Sequence, residues 1–195
     1  MAEYCQVGSL DKVIDLMTKA KGKFTEPVFL TIVAQVAEAL SYAHAKDVLH
    51  RDITAENIFL KLDGAVKLGK FALESGEKHV SPEATNDKLT AKSDVYSLGC
   101  IAFQLLSLKM PFVHEDSAFL MKAIIEDEPT RLSNKDVSQQ SSNLVMAMLQ
   151  KEPDMRPAAA DIIDTQFVKV YRGEANNLLL ESGEPSINKL IDEGV

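Results

Sequence analysis

The chain has 195 residues, 46% of them hydrophobic and 26% charged, which is enough apolar material for one well-buried core and too much for a disordered tail. Its 29 acidic residues outnumber 21 basic ones and no Lys/Arg block stands out, so neither a surface built for a phosphate backbone nor a nucleic-acid partner is expected. The two cysteines, Cys5 and Cys100, lie far apart without metal-ligand spacing, the N-terminus has no signal-peptide pattern and no stretch suits a bilayer, so the expected setting is a reducing cytoplasm with no membrane contact.

Taken in chain order, Met1 to Cys5 is a short apolar and aromatic run that reads as an edge strand leading to Gly8. Ser9 follows as the N-cap of a helix with Asp11 in its first turn and Leu10, Val13, Ile14 and Met17 on one face; Lys21-Gly22-Lys23 ends it. Between Thr25 and His44, the positions Phe29, Ile32, Val33, Val36, Ala37 and Leu40 repeat at helical spacing and predict a core-facing helix. Val48 to Leu60 then carries apolar residues on both sides of a polar segment, which reads as strand, loop, strand.

Inside that segment His50, Arg51, Asp52 and Asn57 stand in the spacing H-R-D-x-x-x-x-N. Alone, such a tripeptide also suits an ordinary surface turn. Asp63-Gly64, between Ile58-Phe59-Leu60 and Val66-Lys67-Leu68, signals a two-residue hairpin, so a ribbon follows the polar loop directly. After Ser81-Pro82-Glu83, the pair Ser93-Asp94 marks a helix start with its carboxylate in the first turn; the segment through Leu108 is apolar nearly all round and predicts a buried central helix stopped by Pro111. Further helices are expected at about Ser117 to Glu126, Ser138 to Gln150 and Ala158 to Tyr171, with a turn at Glu152-Pro153-Asp154 between the last two. Past Glu174 the pattern weakens into a loose terminus, a docked tail or a partner-binding peptide.

The order of His50-Arg51-Asp52 with Asn57, Ser81-Pro82-Glu83, Ser93-Asp94-Val95-Tyr96-Ser97-Leu98-Gly99-Cys100 and Arg156-Pro157 resembles the large helical lobe of eukaryotic protein kinases. The wording of Glu3-Tyr4-Cys5, Leu49-His50-Arg51-Asp52-Ile53, Asn57-Ile58-Phe59-Leu60 and Lys92-Ser93-Asp94 is similar to the NIMA-related serine/threonine branch. The resemblance implies a mainly α fold, a kinase-like C-lobe with a small β-ribbon beside the catalytic loop. It also implies a hinge segment over residues 1–8, the lobe over 9–172 and a tail over 173–195.

By the same resemblance Asp52 is the catalytic base and Asn57 a magnesium ligand. Glu3 and Cys5 are hinge positions for adenine, Ala2 the gatekeeper and Phe59 the floor under the base. Asp94 holds the catalytic loop, and Glu83 with Arg156 forms a buried ion pair. Several charges depart from the pattern. Lys70-Phe71-Ala72 stands where Asp-Phe-Gly would hold the metal, and an ammonium repels magnesium instead of binding it. Thr54 stands where a Lys touches the transferred phosphate, and the loop from Leu73 to Val80 is short and lacks the Gly-Thr-Pro run.

Met1 falls at the hinge position, so the glycine-rich loop and the phosphate-binding Lys of a small lobe have no counterpart in this chain; ATP would find a floor without a roof. The expectation is a catalytically impaired NIMA-related kinase-like module that binds or scaffolds protein partners, with ATP as its implied ligand and magnesium disfavoured by Lys70. The alternative is an active ATP-dependent serine/threonine kinase that needs an N-lobe from the same or another chain.

Overall fold

The structure, a computed structural model, describes residues 4–70, 81–86, 88–130, 132 and 137–171. Outside those residues fall Ala2 and Glu3 of the expected hinge, Phe71 and Ala72, the short loop to Val80, and the tail.

Helix α1 (Leu10–Lys19) starts after Ser9 as expected, and its four apolar positions Leu10, Val13, Ile14 and Met17 are all buried. Helix α2 (Glu26–His44) buries the expected stripe and also Val28, Leu30, Thr31, Ala34 and Ala43, so it is covered on more than one face. That extra coverage comes from α3 (Ala91–Ser107) on one side and from the short helices α6 (Ala159–Asp164) and α7 (Gln166–Lys169), with the ribbon, on others. Helix α3 is buried along most of its length, from Ser93 to Leu105, and α5 (Gln139–Met148) packs across it. Each fully buried Leu, Ile or Phe in these helices contributes about 1.5–3 kcal/mol of transfer free energy, and the buried set forms one contiguous cluster. Among the described residues no helix is long and apolar enough to cross a membrane.

Polar groups aim the helices. Glu26, in the first turn of α2, accepts hydrogen bonds from the hydroxyls of Ser138 and Ser141 at the start of α5. Helix α4 (Ser117–Glu126) is capped by Asp116, whose carboxylate accepts the Ala118 and Phe119 N–H groups at 2.8 and 3.2 Å. The start of α3 is a capping box one turn earlier than Ser93-Asp94 suggests: Thr90 is the N-cap and the Ser93 hydroxyl accepts the Thr90 N–H at 3.0 Å.

Four expectations are corrected. The N-terminal strand β1 forms at Gly8–Ser9, whereas Tyr4 and Cys5 lie in no strand; Gly8, at φ +97°, is where the chain turns into the sheet. No strand precedes the polar loop, because the backbone N–H groups of His50 and Arg51 go to the Asp94 carboxylate instead of to a ladder. The ribbon of β2 (Ile58–Leu60) and β3 (Val66–Leu68) is present, but its turn is one residue longer than a two-residue hairpin. Lys61 N–H donates to the Ala65 carbonyl at 2.9 Å around Gly64 at φ +80°. Finally, the single helix expected from Ala158 to Tyr171 breaks at Thr165, whose ψ of 128° is extended and whose hydroxyl donates to the Asp161 carbonyl at 3.0 Å.

The sheet is antiparallel in the order β1-β2-β3, with Gly8 opposite Leu60 and Phe59 opposite Lys67. Side chains alternate along β2, so Ile58 and Leu60 enter the core and Phe59 faces the other way. Gln35 of α2 clamps the ribbon: its side-chain oxygen accepts the Val66 N–H at 2.9 Å and its amide donates to the Gly64 carbonyl at 3.2 Å.

Candidate functional site

The polar loop after α2 is fixed from below by one carboxylate. Asp94, 3% exposed in the first turn of α3, accepts the N–H of His50 at 2.9 Å and that of Arg51 at 2.8 Å, and lies 2.8 Å from Nε2 of His44. Arg51 sits at φ +67°, a left-handed conformation that side chains other than glycine adopt at a cost. The Asp94 hydrogen bond to its N–H holds that geometry. His50 is fully buried and its Nε2 lies 3.0 Å from the Gly69 carbonyl, while Nδ1 accepts the Asp52 N–H at 3.3 Å. Those partners require the tautomer with hydrogen on Nε2. Burial pushes the His50 pKa down, outweighing the Gly69 carbonyl and the charges of Asp94 and Asp52, so the ring is neutral at pH 7.

Asp52 and Asn57 are brought together by a short 3-10 turn, Ala55–Asn57. The Asn57 side-chain N–H₂ donates to the Asp52 carboxylate at 2.6 Å and to the Asp52 carbonyl at 2.9 Å, and Asn57 is nearly buried. The amide therefore points its nitrogen at Asp52, which leaves its oxygen as the atom able to face a ligand. Gly69 closes the far side: its N–H donates to the Asn57 carbonyl at 2.9 Å, and a Cβ there would come within 3.1 Å of the Phe59 ring. Phe59, half-buried, thus lies against the segment that ends β3.

Lys70 follows directly, with its side chain exposed and its backbone at φ +55°. Both backbone polar groups of Gly69 are tied to the loop, through the Asn57 carbonyl and His50 Nε2, which fixes the backbone from which Lys70 departs. Thr54 is 4% exposed; its carbonyl accepts the Asn57 N–H at 3.0 Å, and its hydroxyl has no hydrogen-bond partner. Cys5 is half-buried and its carbonyl accepts the Gly8 N–H at 3.2 Å, forming the turn into β1.

A second clasp lies below the loop. Arg156 spends its N–H donors on Glu83, through two bonds of 2.8 Å, and on the carbonyls of Gln150, Lys92 and Lys151 at 2.6, 2.9 and 2.8 Å. Its guanidinium also stacks 4.7 Å from the Tyr96 ring. Ser93 donates to Glu83 at 2.6 Å. Sequence reasoning pairs Glu83 with Arg156 through resemblance but misses the carbonyl cage, because backbone acceptors carry no residue signature. It also misses the roles of Gln35 and His44, which read simply as polar positions on α2.

The model of the protein kinase domain matches residues 1–168. The chain belongs to the protein kinase domain family. This kinase domain is 30% identical over 194 residues to the probable serine/threonine-protein kinase nek3 of Dictyostelium discoideum, covering 88% of the chain and 17% of that protein. It is 31% identical over 191 residues to serine/threonine-protein kinase Nek9 of Mus musculus, covering 88% of the chain and 19% of that protein. To the calcium and calcium/calmodulin-dependent serine/threonine-protein kinase DMI-3 of Medicago truncatula it is 32% identical over 187 residues, 86% of the chain and 35% of that protein. The kinase domain thus spans about a third or less of the length of these curated relatives. Its described part is the helical lobe of the kinase fold, mostly α with a three-stranded antiparallel sheet beside the catalytic loop.

Proposed function

We propose that this chain is a kinase-fold module of the NIMA-related type in which metal-dependent phosphoryl transfer is lost or nearly lost, and that it works in the cytoplasm by binding or scaffolding protein partners. Lys70 carries this reading. Phosphoryl transfer depends on charges positioned around the phosphates and the metal, and magnesium takes oxygen ligands in a near-octahedral shell. Asn57 offers one amide oxygen to such an ion, and by the resemblance Lys70, which follows Gly69 in the chain, brings a cation to the position where a second oxygen is needed. The donor set therefore does not suit magnesium gripped from both sides of the cleft. ATP remains the ligand that the resemblance implies, with Phe59, Cys5, Glu3 and Lys70 as the residues proposed to meet it.

The test is transfer of labelled γ-phosphate to a generic protein substrate with magnesium or manganese, using Asp52→Asn as the control. No Asp52-dependent incorporation is expected, and clear incorporation rejects the proposal. In thermal shift, the wild-type response to ATP should be the same with and without magnesium, whereas Lys70→Asp should gain a magnesium-dependent component. A wild-type shift that needs the metal counts against the role given to Lys70.

The second reading is an active serine/threonine kinase completed by an N-lobe from the same or another chain. The 2.6 Å pairing of Asn57 with Asp52 supports it, since the proposed base and the proposed metal ligand lie side by side. Lys70 would then meet phosphate oxygens as a point charge, at a rate reduced on the order of 10²-fold by the missing carboxylate. Addition of a small lobe to the transfer assay separates the two.

A further inference from the structure

Helix α4 is more apolar than its position on the surface explains. Seven of its ten residues are apolar, with only Ser117, Lys122 and Glu126 between them, yet Ile124 is the one residue of the helix that is buried. A helix apolar on nearly every side is ordinarily covered all round. Leu120 and Met121 rest half-buried against the core, but Phe119 is 57% exposed, Ile125 43%, and Val113, just before the helix, 78%. The rings of His114 and Phe119 stack with centroids 5.0 Å apart, so His114 joins Phe119 to its own chain neighbour Val113 in one exposed apolar and aromatic patch.

The charges around that patch are unevenly placed. Residues 113–128 carry five carboxylates, Glu115, Asp116, Glu126, Asp127 and Glu128, against the single lysine Lys122. Lys122 lies 3.8 Å from Glu126. The Lys151 ammonium donates to the Ile124 carbonyl, sits 4.3 Å over the Phe112 ring, and is within electrostatic reach of Asp127 and Glu128. Both cations are thus engaged toward the C-terminal end of α4. At its start, Asp116 accepts the Phe119 N–H at 3.2 Å and Glu115 precedes it in the chain, so two carboxylates flank the patch. His114 Nδ1 accepts the Asp116 N–H at 3.4 Å, and a proton on this ring would offset only one of the two.

That charge selects the occupant. A second copy in a two-fold pairing would set Glu115 and Asp116 against themselves, and the chain's net charge of -8 opposes its association through other faces. Residues 173–195 carry five carboxylates against Lys189 and would be repelled as well. We propose that the start of α4 docks a basic segment of another protein, whose apolar side chain covers Val113 and Phe119 while its Arg or Lys side chains meet Glu115 and Asp116. Arginine suits the site best, because its guanidinium both pairs with carboxylates and stacks on an aromatic face. This names the partner chemistry for the binding role proposed above and rests on that role, not on the loss of phosphoryl transfer, so docking and phosphate incorporation fail separately.

The test is a selection of random dodecapeptides on the immobilised full chain, with counter-selection on Phe119→Ser. Peptides that prefer the unaltered chain are then titrated against chain labelled with 4-fluorophenylalanine. They should carry net positive charge and at least one large apolar residue, and bind with a Kd below about 1 mM. The Phe119 signal should shift saturably while those of the buried Phe29 and Phe103 stay in place. Glu115→Lys, Val113→Ser and a rise to about 0.5 M salt should each weaken binding at least about threefold, and replacing the peptide's Arg and Lys by Glu should abolish it. Val113, Glu115 and Phe119 are all exposed, so each variant should melt with the parent, which separates loss of docking from loss of fold. Four results would overturn the proposal: Phe119-dependent peptides that are neutral or acidic, no peptide that distinguishes the chain from Phe119→Ser, an unmoved Phe119 signal, or a Phe119-dependent dimer of the chain alone in sedimentation, which makes a second copy the occupant.

Discussion

The guanidinium of Arg156 and the carboxylate of Glu83 face each other through two parallel hydrogen bonds of 2.8 Å, and the arginine side chain is entirely shielded from solvent. The pair joins the 3-10 turn Pro82–Asn86 to the end of the 3-10 turn Pro153–Met155, its two residues 73 positions apart in sequence. Removing one partner leaves the other buried and uncompensated. Arg156→Leu should therefore destabilise by about 3–5 kcal/mol in urea unfolding, while the double variant with Glu83→Leu should recover part of the loss. Additive losses would show that the two side chains do not act as a unit.

The same pair sets an acid limit. Burial pushes the Glu83 carboxyl up, but hydrogen bonds from Arg156 and Ser93 outweigh it and leave the group below its unfolded value of 4.5. A folded value below the unfolded one means that the unfolded chain takes the proton first, so this stabilisation is complete above pH 4.5 and is lost as pH falls through the lowered value. His50 behaves alike in a higher window: burial depresses its value from 6.5, so its contribution is complete above pH 6.5 and declines as pH falls toward the lowered value. Urea midpoints measured from pH 8 to pH 3 should begin to drop near 6.5 and drop again below 4.5. In His50→Gln the upper decline should vanish and the lower one persist.

Asp94→Asn tests the support of the catalytic loop. An amide nitrogen in place of either oxygen would face an N–H donor from His50 or Arg51, since both oxygens are already acceptors. Each orphaned donor should cost about 1–3 kcal/mol, and the His50 and Arg51 amides should exchange hydrogen faster than in the parent. Unchanged exchange at both amides would mean that the loop keeps its shape without the carboxylate.

Gly99 reports on helix packing. A Cβ at this position of α3 would stand 2.9 Å from the Met148 Cβ and 3.1 Å from Leu149 Cδ2, so α5 and the residue after it approach α3 too closely for any side chain. Gly99→Ala should lower stability by about 1–3 kcal/mol through overpacking, despite the better helix propensity of alanine. A rise in melting temperature would show that α5 can step back freely.

Local chemistry alone dictated much of this protein. The spacing of Phe29, Ile32, Val33, Val36, Ala37 and Leu40 placed α2, the apolar run after Ser93 placed α3, and the order of His50, Arg51, Asp52, Asn57, Glu83, Asp94 and Arg156 identified the kinase lobe before any coordinates. Only the tertiary structure decided where the backbone polar groups went. His50 and Arg51 form no strand because Asp94, from a helix more than 40 residues downstream, takes their N–H groups, and the last helix breaks where Thr165 turns to cap Asp161. The carbonyl cage around Arg156 and the Gln35 clamp on the ribbon were equally illegible. Side-chain periodicity records which faces are apolar, whereas hydrogen-bond partners and cavities depend on distances between segments remote in the chain, and those exist only once the helices have packed.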